Sequence, residues 1–319
     1  MATVLALLFP GQGSQEVGMG RDVYEASEAA RDVFVAADET LGFSLSRLCF
    51  EGPADDLVPT EIQQPAILTS CIALYRCLQE QVPDLAPAFV AGHSLGEYSA
   101  LVAAGSLTFE DAVSLVHARG RFMQQAVPTG SGAMVAVLGS SPDEIDVACR
   151  EAAKATGEVV TPANYNSPQQ TVIAGAAGAV ELAGKRALEL GAKRTVPLEV
   201  SAPFHCALMA PAAEQLAVEL KSIRFADPVP PVVTNVEALP NHSGARVPGL
   251  LEQQVTAPVR FTEMIQQLSQ LGVDHFLEVG PGRVLSGLVA RIQRRSQRAN
   301  FGSLSDVEGV RSFLAGDGV

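Results

Sequence analysis

The sequence predicts an α/β protein: a parallel sheet covered by helices, interrupted by a small ferredoxin-like module. Three observations carry this. Short apolar runs alternate with helical patterns through the first 127 residues, the order that parallel strands with crossover helices require. Residues 128–200 change to a βαββαβ order, entered through turn signals at Pro128, Gly130 and Gly132. Two later apolar runs then resume the first pattern. We therefore assign residues 1–127 and 201–319 to a large domain and residues 128–200 to a small inserted one.

Residues 4–9 form a continuous apolar run ending at Pro10-Gly11-Gln12-Gly13, as a buried strand does. No basic leader precedes the run, so it reads as a strand and not as a signal peptide. Pro65 is placed at a first helical position, and the helix it opens runs through Leu68, Ile72 and Leu78. Residues 89–92 read as a short buried strand, and 95–104 as a helix closed by Gly105. Within the module, residues 133–138, 159–161, 171–174 and 195–200 read as strands. Residues 142–155 and 180–190 read as helices, the second ended by Gly191. Residues 232–234 and 275–279 return as strands to the main sheet. From about Phe301 onward the chain reads as a weakly constrained tail.

Composition excludes several classes of function. A chain of 319 residues with 47% hydrophobic content can bury a large core, yet it has no membrane-length apolar run. Its 22 basic and 35 acidic residues give a net charge of −13, which argues against nucleic acid as a partner. Any attraction to an anionic partner must come from local basic patches. Cys49, Cys71, Cys77, Cys149 and Cys206 are odd in number and include no Cys-x-x-Cys pair. Neither a disulfide framework nor a zinc site is indicated, and a reducing cytoplasm fits best.

The sharpest chemical signal is Gly92-His93-Ser94-Leu95-Gly96 between a strand and a helix. A nucleophile elbow needs this arrangement: a serine on a strained turn, with glycines that let the backbone pass close by. The bland alternative is a tight turn with a capping serine. A serine hydroxyl is a poor nucleophile at neutral pH, so a base is required. Among five histidines, His93 should diverge from Ser94, and His117 shares a helix face with Ser114 and Arg121 and reads as solvated. His242 sits in a polar loop, and His275 opens an apolar strand as a structural residue. His205 remains, at the crossing from the small domain back to the large one, where clefts form.

Arg119 falls on the apolar face formed by Ala112, Leu115, Val116 and Met123, whereas Arg121 falls on the polar face. A buried guanidinium is costly without an anion, and a carboxylate matches its planar fork. That carboxylate could belong to the protein or to a substrate. The loop Gly11-Gln12-Gly13-Ser14-Gln15 is too short for a phosphate-binding loop. It can supply a backbone N–H to an oxyanion, opposite the N–H of Leu95.

Together, Pro10-Gly11-Gln12-Gly13-Ser14-Gln15, Gln64-Pro65-Ala66, Ala91 through Ala100, Arg119-Gly120, Asn164 through Pro168, Pro203-Phe204-His205 and Glu278 through Gly282 resemble the malonyl-CoA:acyl carrier protein transacylases. The resemblance spans essentially the whole chain. It implies a large domain similar to α/β hydrolases and a ferredoxin-like small domain. It implies that Ser94 becomes malonylated and that His205 serves as base and then as acid. Backbone N–H groups of Gln12 and Leu95 would form the oxyanion hole, and Arg119 would pair with the free malonyl carboxylate. Gln64 would position that arginine, Asn166 would lie nearby in the cleft, and the Gln254 carbonyl would orient the histidine in place of an aspartate. Phe204 resembles malonyl-selective members, in which an aromatic ring disfavours α-branched acyl groups. Lys193, Arg194 and Arg291 match positions that receive the carrier protein or coenzyme A, or else are solvated charges.

The resemblance further implies malonyl-CoA as substrate, CoA as product, no resident cofactor or metal, acyl carrier protein as partner, and a monomer. Fatty-acid synthesis is the expected setting, with no membrane or nucleic-acid partner. A trans-acting acyltransferase of a polyketide pathway is one alternative. A serine thioesterase or hydrolase is another, which would need an Asp or Glu reaching His205 and no buried arginine. An inactive scaffold is the third, disfavoured because Ser94, Arg119 and His205 are all present.

Overall fold

A computed structural model describes residues 3–316; residues 1–2 and the last three positions of the expected tail lie outside the described residues. Among the described residues ten strands occur in chain order: β1 (Leu5–Phe9), β2 (Phe89–Gly92), β3 (Gly132–Leu138), β4 (Val160–Ser167), β5 (Gln170–Ala176), β6 (Arg194–Pro197), β7 (Val232–Val233), β8 (Pro240–Asn241), β9 (His275–Val279) and β10 (Gln297–Phe301). They form two sheets, ordered β10-β9-β1-β2-β7-β8 and β4-β5-β3-β6.

In the first sheet β1 pairs in parallel with β2 and β9, and the outer pairs β2–β7 and β9–β10 are parallel as well. Only the terminal β8 runs antiparallel. Leu5, Leu7 and Phe9 belong to one hydrophobic cluster, and Ala6 and Leu8 to another. Both faces of β1 are therefore covered, which is why its sequence is continuously apolar instead of alternating.

The second sheet is antiparallel throughout and lies in sequence between β2 and β7. Helices Pro142–Thr156 and Ala177–Glu189 close it into its own core around Val137, Ile145, Ile173 and Val180. This is the expected ferredoxin-like order. The expected strand at 159–161 extends to Ser167, with two irregularities in its pairing. The Val259 backbone accepts from Tyr165 N at 2.9 Å and donates to Ala163 O at 2.8 Å. That short bridge ties β4 to the segment leading into the Phe261–Gln270 helix.

Three expectations are corrected. Pro65 does not open its helix; the helix runs Thr60–Gln81 and Pro65 lies inside it. A proline there cannot donate to the Glu61 carbonyl, one turn back. His117 supplies that missing donor, its Nδ1 lying 2.8 Å from Glu61 O. His117 is thus half-buried and bonded, not solvated as its polar neighbours suggested.

The third correction concerns the tail. Phe301 ends β10 with its side chain fully buried, and a helix follows at Val307–Ala315 with Val310 in the core. The polar residues of β10 disguised it, because an edge strand buries little of its length. Ser303 and Asp306 form a capping box on the 3-10 turn Leu304–Asp306 that leads into the Val307–Ala315 helix.

Candidate active site

The carboxyl ends of β1, β2 and β7 converge, and in open parallel sheets ligands bind beyond such ends. β2 ends at Gly92, and the chain turns through Ser94 into the Gly96–Ala103 helix. Ser94 sits at φ 51°, in left-handed backbone that a non-glycine residue adopts only under constraint. The flanking glycines are forced by crowding. A Cβ on Gly92 would lie 2.0 Å from the Gly96 carbonyl, and one on Gly96 would lie 2.0 Å from Phe9 O.

Side-chain amides hold the strained turn. Asn235, just past β7, accepts from Ser94 N at 2.6 Å and donates to Gly92 O at 2.7 Å. The Gln254 side chain donates to Ser94 O at 3.1 Å. The elbow is thereby clamped on both sides of Ser94.

Ser94 Oγ lies 2.8 Å from His205 Nε2. On the other side of the ring, Nδ1 lies 2.8 Å from Gln254 O. Because a carbonyl only accepts, Nδ1 carries the proton and Nε2 is left free to accept from the serine. Burial, and then the neighbouring Arg119 charge, push the His205 pKa down to about 3, so the ring is a neutral acceptor at physiological pH. Among the described residues no carboxylate bonds His205. Phe204 beside it is buried.

Arg119 comes from the Phe109–Gln125 helix and is fully buried, as its place on the apolar face required. Its Nη1 donates to Gln64 Oε1 at 2.8 Å, and its Nη2 donates to Gln254 Oε1 at 3.0 Å and Ser94 Oγ at 3.2 Å. The Nε–H has no acceptor among the described residues, and the guanidinium carbon lies 5.3 Å from the centre of the Tyr98 ring. A buried guanidinium held by neutral amides and a hydroxyl, without a direct carboxylate, is set up to receive an anion from outside.

Gln64 Nε2 approaches Gln12 Oε1 at 3.5 Å, and the Gln12 side-chain amide bonds Gln63 Oε1. The backbone N–H groups of Gln12 and Leu95 have no protein acceptor among the described residues. Asn166, on β4, accepts from His93 Nε2 at 2.8 Å, so the small sheet touches the elbow through the residue before Ser94. Gln12, Gln64, Ser94, Leu95, Arg119, His205 and Gln254 therefore gather in one place, with Asn166 one contact away.

Lys193, Arg194 and Arg291 are exposed and touch none of these groups. They do share one end of the small sheet. Leu138 pairs with both Arg194 and Gln170, Lys193 N donates to Leu138 O at 2.8 Å, and Arg291 Nη1 donates to Gln170 Oε1 at 2.9 Å. Asn166 lies on the same end of β4, so the basic cluster sits on the side of the sheet that reaches the elbow.

A family model described as the acyl transferase domain matches residues 6–304. The chain belongs to that family. Among its relatives, the malonyl CoA-acyl carrier protein transacylase of Escherichia coli strain K12 is 50% identical over 290 residues, 91% of this chain and 93% of that protein. An acyl carrier protein S-malonyltransferase from Vibrio cholerae, solved by crystallography, is 45% identical with a TM-score of 0.93, covering 97% of this chain and 100% of that one. A malonyl-transacylase solved in complex with its type II polyketide acyl-carrier protein is 44% identical, also at 0.93, covering 98% of this chain and 100% of that one.

Within this acyl transferase, sequence reasoning missed three elements of the site. Glu97 was visible only as part of a motif, yet its buried carboxylate accepts from Gln254 Nε2 at 2.7 Å and Asn235 N at 3.0 Å. Asn235 was passed over, although a buried polar residue two positions past β7 marks a strand end facing the site. For Gln254 only the backbone carbonyl was expected, and the side chain proves to be as involved.

Proposed function

We propose that this acyltransferase moves a malonyl group from malonyl-CoA to the phosphopantetheine thiol of an acyl carrier protein. This is the activity named for its relatives. The observation that carries it is the meeting of Ser94, His205 and a buried Arg119 that bonds no carboxylate among the described residues. Ser94 Oγ attacks the thioester carbonyl while His205 Nε2 takes its proton. The tetrahedral oxyanion is received by the N–H groups of Gln12 and Leu95. Collapse breaks the carbon–sulfur bond, and His205 returns the proton to the departing CoA sulfur.

In the second half the carrier thiol gives its proton to His205 and attacks the malonyl ester, and Ser94 recovers its proton. Arg119, held by Gln64, pairs with the free carboxylate throughout, and Phe204 limits room at the α-carbon. Every group in the cycle comes from the chain or its substrates, so no resident cofactor is needed. Removing one oxyanion donor from such a site slows acyl transfer about 100- to 1,000-fold.

Residues 128–200 act as a small domain that brings Asn166 to the elbow, set within a large domain of residues 1–127 and 201–319. The cluster of Lys193, Arg194 and Arg291 is the landing surface for the anionic carrier or CoA, which resolves how a protein of net charge −13 receives anionic partners. No described helix is long and apolar enough to cross a membrane, and all five cysteines are buried and free. We place the protein in the cytoplasm, serving fatty-acid synthesis. A polyketide carrier is the second reading, favoured by the relative solved with such a partner.

A hydrolase would orient His205 with a carboxylate, and a backbone carbonyl stands there instead. The test is intact-mass analysis after adding malonyl-CoA, with and without a phosphopantetheinylated carrier. A malonyl increment on Ser94 that passes to the carrier is expected. Rapid release of free malonate without a carrier would make this a hydrolase.

A further inference from the structure

The Gln254 side chain sits between three parts of the machinery. Its Nε2 donates to Ser94 O at 3.1 Å, and its Oε1 accepts from Arg119 Nη2 at 3.0 Å. Ser94 C=O and Leu95 N–H belong to one planar peptide unit. Holding that carbonyl therefore also sets the direction of the Leu95 N–H, the donor assigned to the oxyanion. One carboxamide thus fixes an oxyanion donor and the guanidinium together.

An amide can turn about its last bond and exchange its oxygen and nitrogen. In the turned state Nε2 would face the Arg119 donors, and Oε1 would face Ser94 O. What forbids it most strongly is Glu97, whose carboxylate oxygen lies 2.7 Å from Gln254 Nε2 and, when ionised, can only accept. The same oxygen takes Asn235 N at 3.0 Å, the residue that clamps the other side of the elbow. Glu97 is buried in the first turn of the Gly96–Ala103 helix, where the helix dipole favours negative charge.

We propose that Glu97 is a positioning residue, whose buried carboxylate locks the Gln254 carboxamide and through it aligns the Leu95 N–H and Arg119. This rests on the acyl-transfer reading above. The Glu97 backbone N–H also donates to Ser94 O at 3.1 Å, but its carboxylate bonds only Asn235 and Gln254 and reaches neither Ser94 Oγ nor the acyl group; the side chain acts through a neighbour. It also supplies the negative charge near Arg119 without occupying the guanidinium, which leaves that group free for a substrate carboxylate.

The lock has a protonation state. Burial raises the Glu97 pKa to about 7, opposed by the bonds from Asn235 and Gln254 and by the Arg119 charge. Its titratable and charged neighbours are Tyr98 on its own helix and Arg119 on the Phe109–Gln125 helix. Cys71 on the Thr60–Gln81 helix faces Ser99 and Glu278 instead, and on the elbow side His93 bonds Asn166 while His205 bonds Ser94 and Gln254. β1 and β7 bring no titratable side chain, and the helix Val247–Thr256 that carries Gln254 brings only Glu252, which is exposed. Protonated Glu97 can donate as well as accept, so the lock weakens as pH falls. His205, held down to about 3, adds no step in that range.

The test measures the rate of acyl-Ser94 formation from malonyl-CoA and from acetyl-CoA between pH 5.5 and 8.5, by rapid quench and intact mass. In the parent the rate rises with pH through about 7. In Glu97→Gln the limiting rate falls about 10- to 100-fold for both acyl groups, in proportion to a misaligned oxyanion donor, KM changes little, and the rise through neutral pH is lost. Gln254→Leu keeps the backbone carbonyl that holds His205 and shows the same loss of rate and of pH dependence. The double variant is no slower than Gln254→Leu alone by more than about twofold, because Glu97 works through Gln254.

A Glu97→Gln rate within twofold of the parent, a pH rise that survives in it, or additive losses in the double variant would each overturn the proposal. Should Glu97→Gln not fold, loss or survival of the pH rise in Gln254→Leu decides the matter. If the parent itself forms no acyl-Ser94, it is the acyl-transfer reading that fails.

Discussion

Replacing Arg119 by methionine removes the guanidinium while keeping an unbranched side chain in the space it fills. The parent residue is fully exposed to neither solvent nor a counter-ion: it is buried, and its partners are Gln64, Gln254 and Ser94 Oγ. With malonyl on Ser94, the variant loses a charge-assisted bond of about 1.5 to 3 kcal/mol. It also leaves a carboxylate in a buried site with no cation, and breaking a buried pair in this way costs about 3 to 5 kcal/mol in all. At about 1.4 kcal/mol per factor of ten, kcat/KM for malonyl-CoA should fall at least 100- to 1,000-fold. Acetyl has no carboxylate, so the same variant should keep or gain acetyl transfer. The assay is CoA release in a single turnover, run in parallel with malonyl-CoA and acetyl-CoA. Equal loss with both substrates would refute Arg119 as the selector and make it a structural residue of the elbow.

Other consequences are open to measurement. Gly96→Ala drives a methyl into Phe9 O and Pro10 O, backbone atoms that cannot move aside, and should destabilise the fold by about 3 kcal/mol or more; an unchanged melting temperature would contradict the elbow geometry. Ending the chain at Ser296 removes β10 and the buried Phe301 and Val310, and the loss of one such phenylalanine alone costs about 3 to 5 kcal/mol. That protein should melt far lower or fail to accumulate in soluble form, whereas a dispensable tail would leave both unchanged. Glu97 has a folded pKa of about 7 against an ordinary 4.5, so the native state holds this proton more tightly than the unfolded chain. Its contribution is complete below pH 4.5 and is lost as pH rises through 7, an effect of about 3 kcal/mol. Glu97→Gln should therefore lose less stability than the parent between pH 4.5 and 7 in denaturant titrations, and parallel curves would show that the carboxylate is not held in its neutral form.

The central strands of the main sheet were legible because burial on two faces writes a continuous apolar run, as in residues 5–9, and helix ends were legible because glycines punctuate them, as Gly105 and Gly191 do. Pro65 misled because a helix can continue through a proline when a distant side chain, here His117, serves the orphaned carbonyl. No local pattern encodes a partner 56 positions away. β10 failed to register for the opposite reason: its pairing with β9 is satisfied by backbone, so polar residues are tolerated along most of its length.

In the site, Ser94 and Arg119 could be read from local signals, an elbow and a charge on an apolar face. Gln254, Asn235 and Glu97 could not. Their contacts join positions 138 to 160 residues apart, and their residue types are equally at home on a surface. What marks them is burial of several amide and carboxylate groups with their hydrogen bonds met, a condition that tertiary packing alone creates. A serine held at φ 51° needs such a frame, because one or two local bonds do not offset the strain of left-handed backbone. The chemistry of the elbow is thus written in five adjacent residues, while the rigidity that makes it usable comes from two distant segments, at Asn235 and Gln254, joined to the elbow through Glu97 beside it.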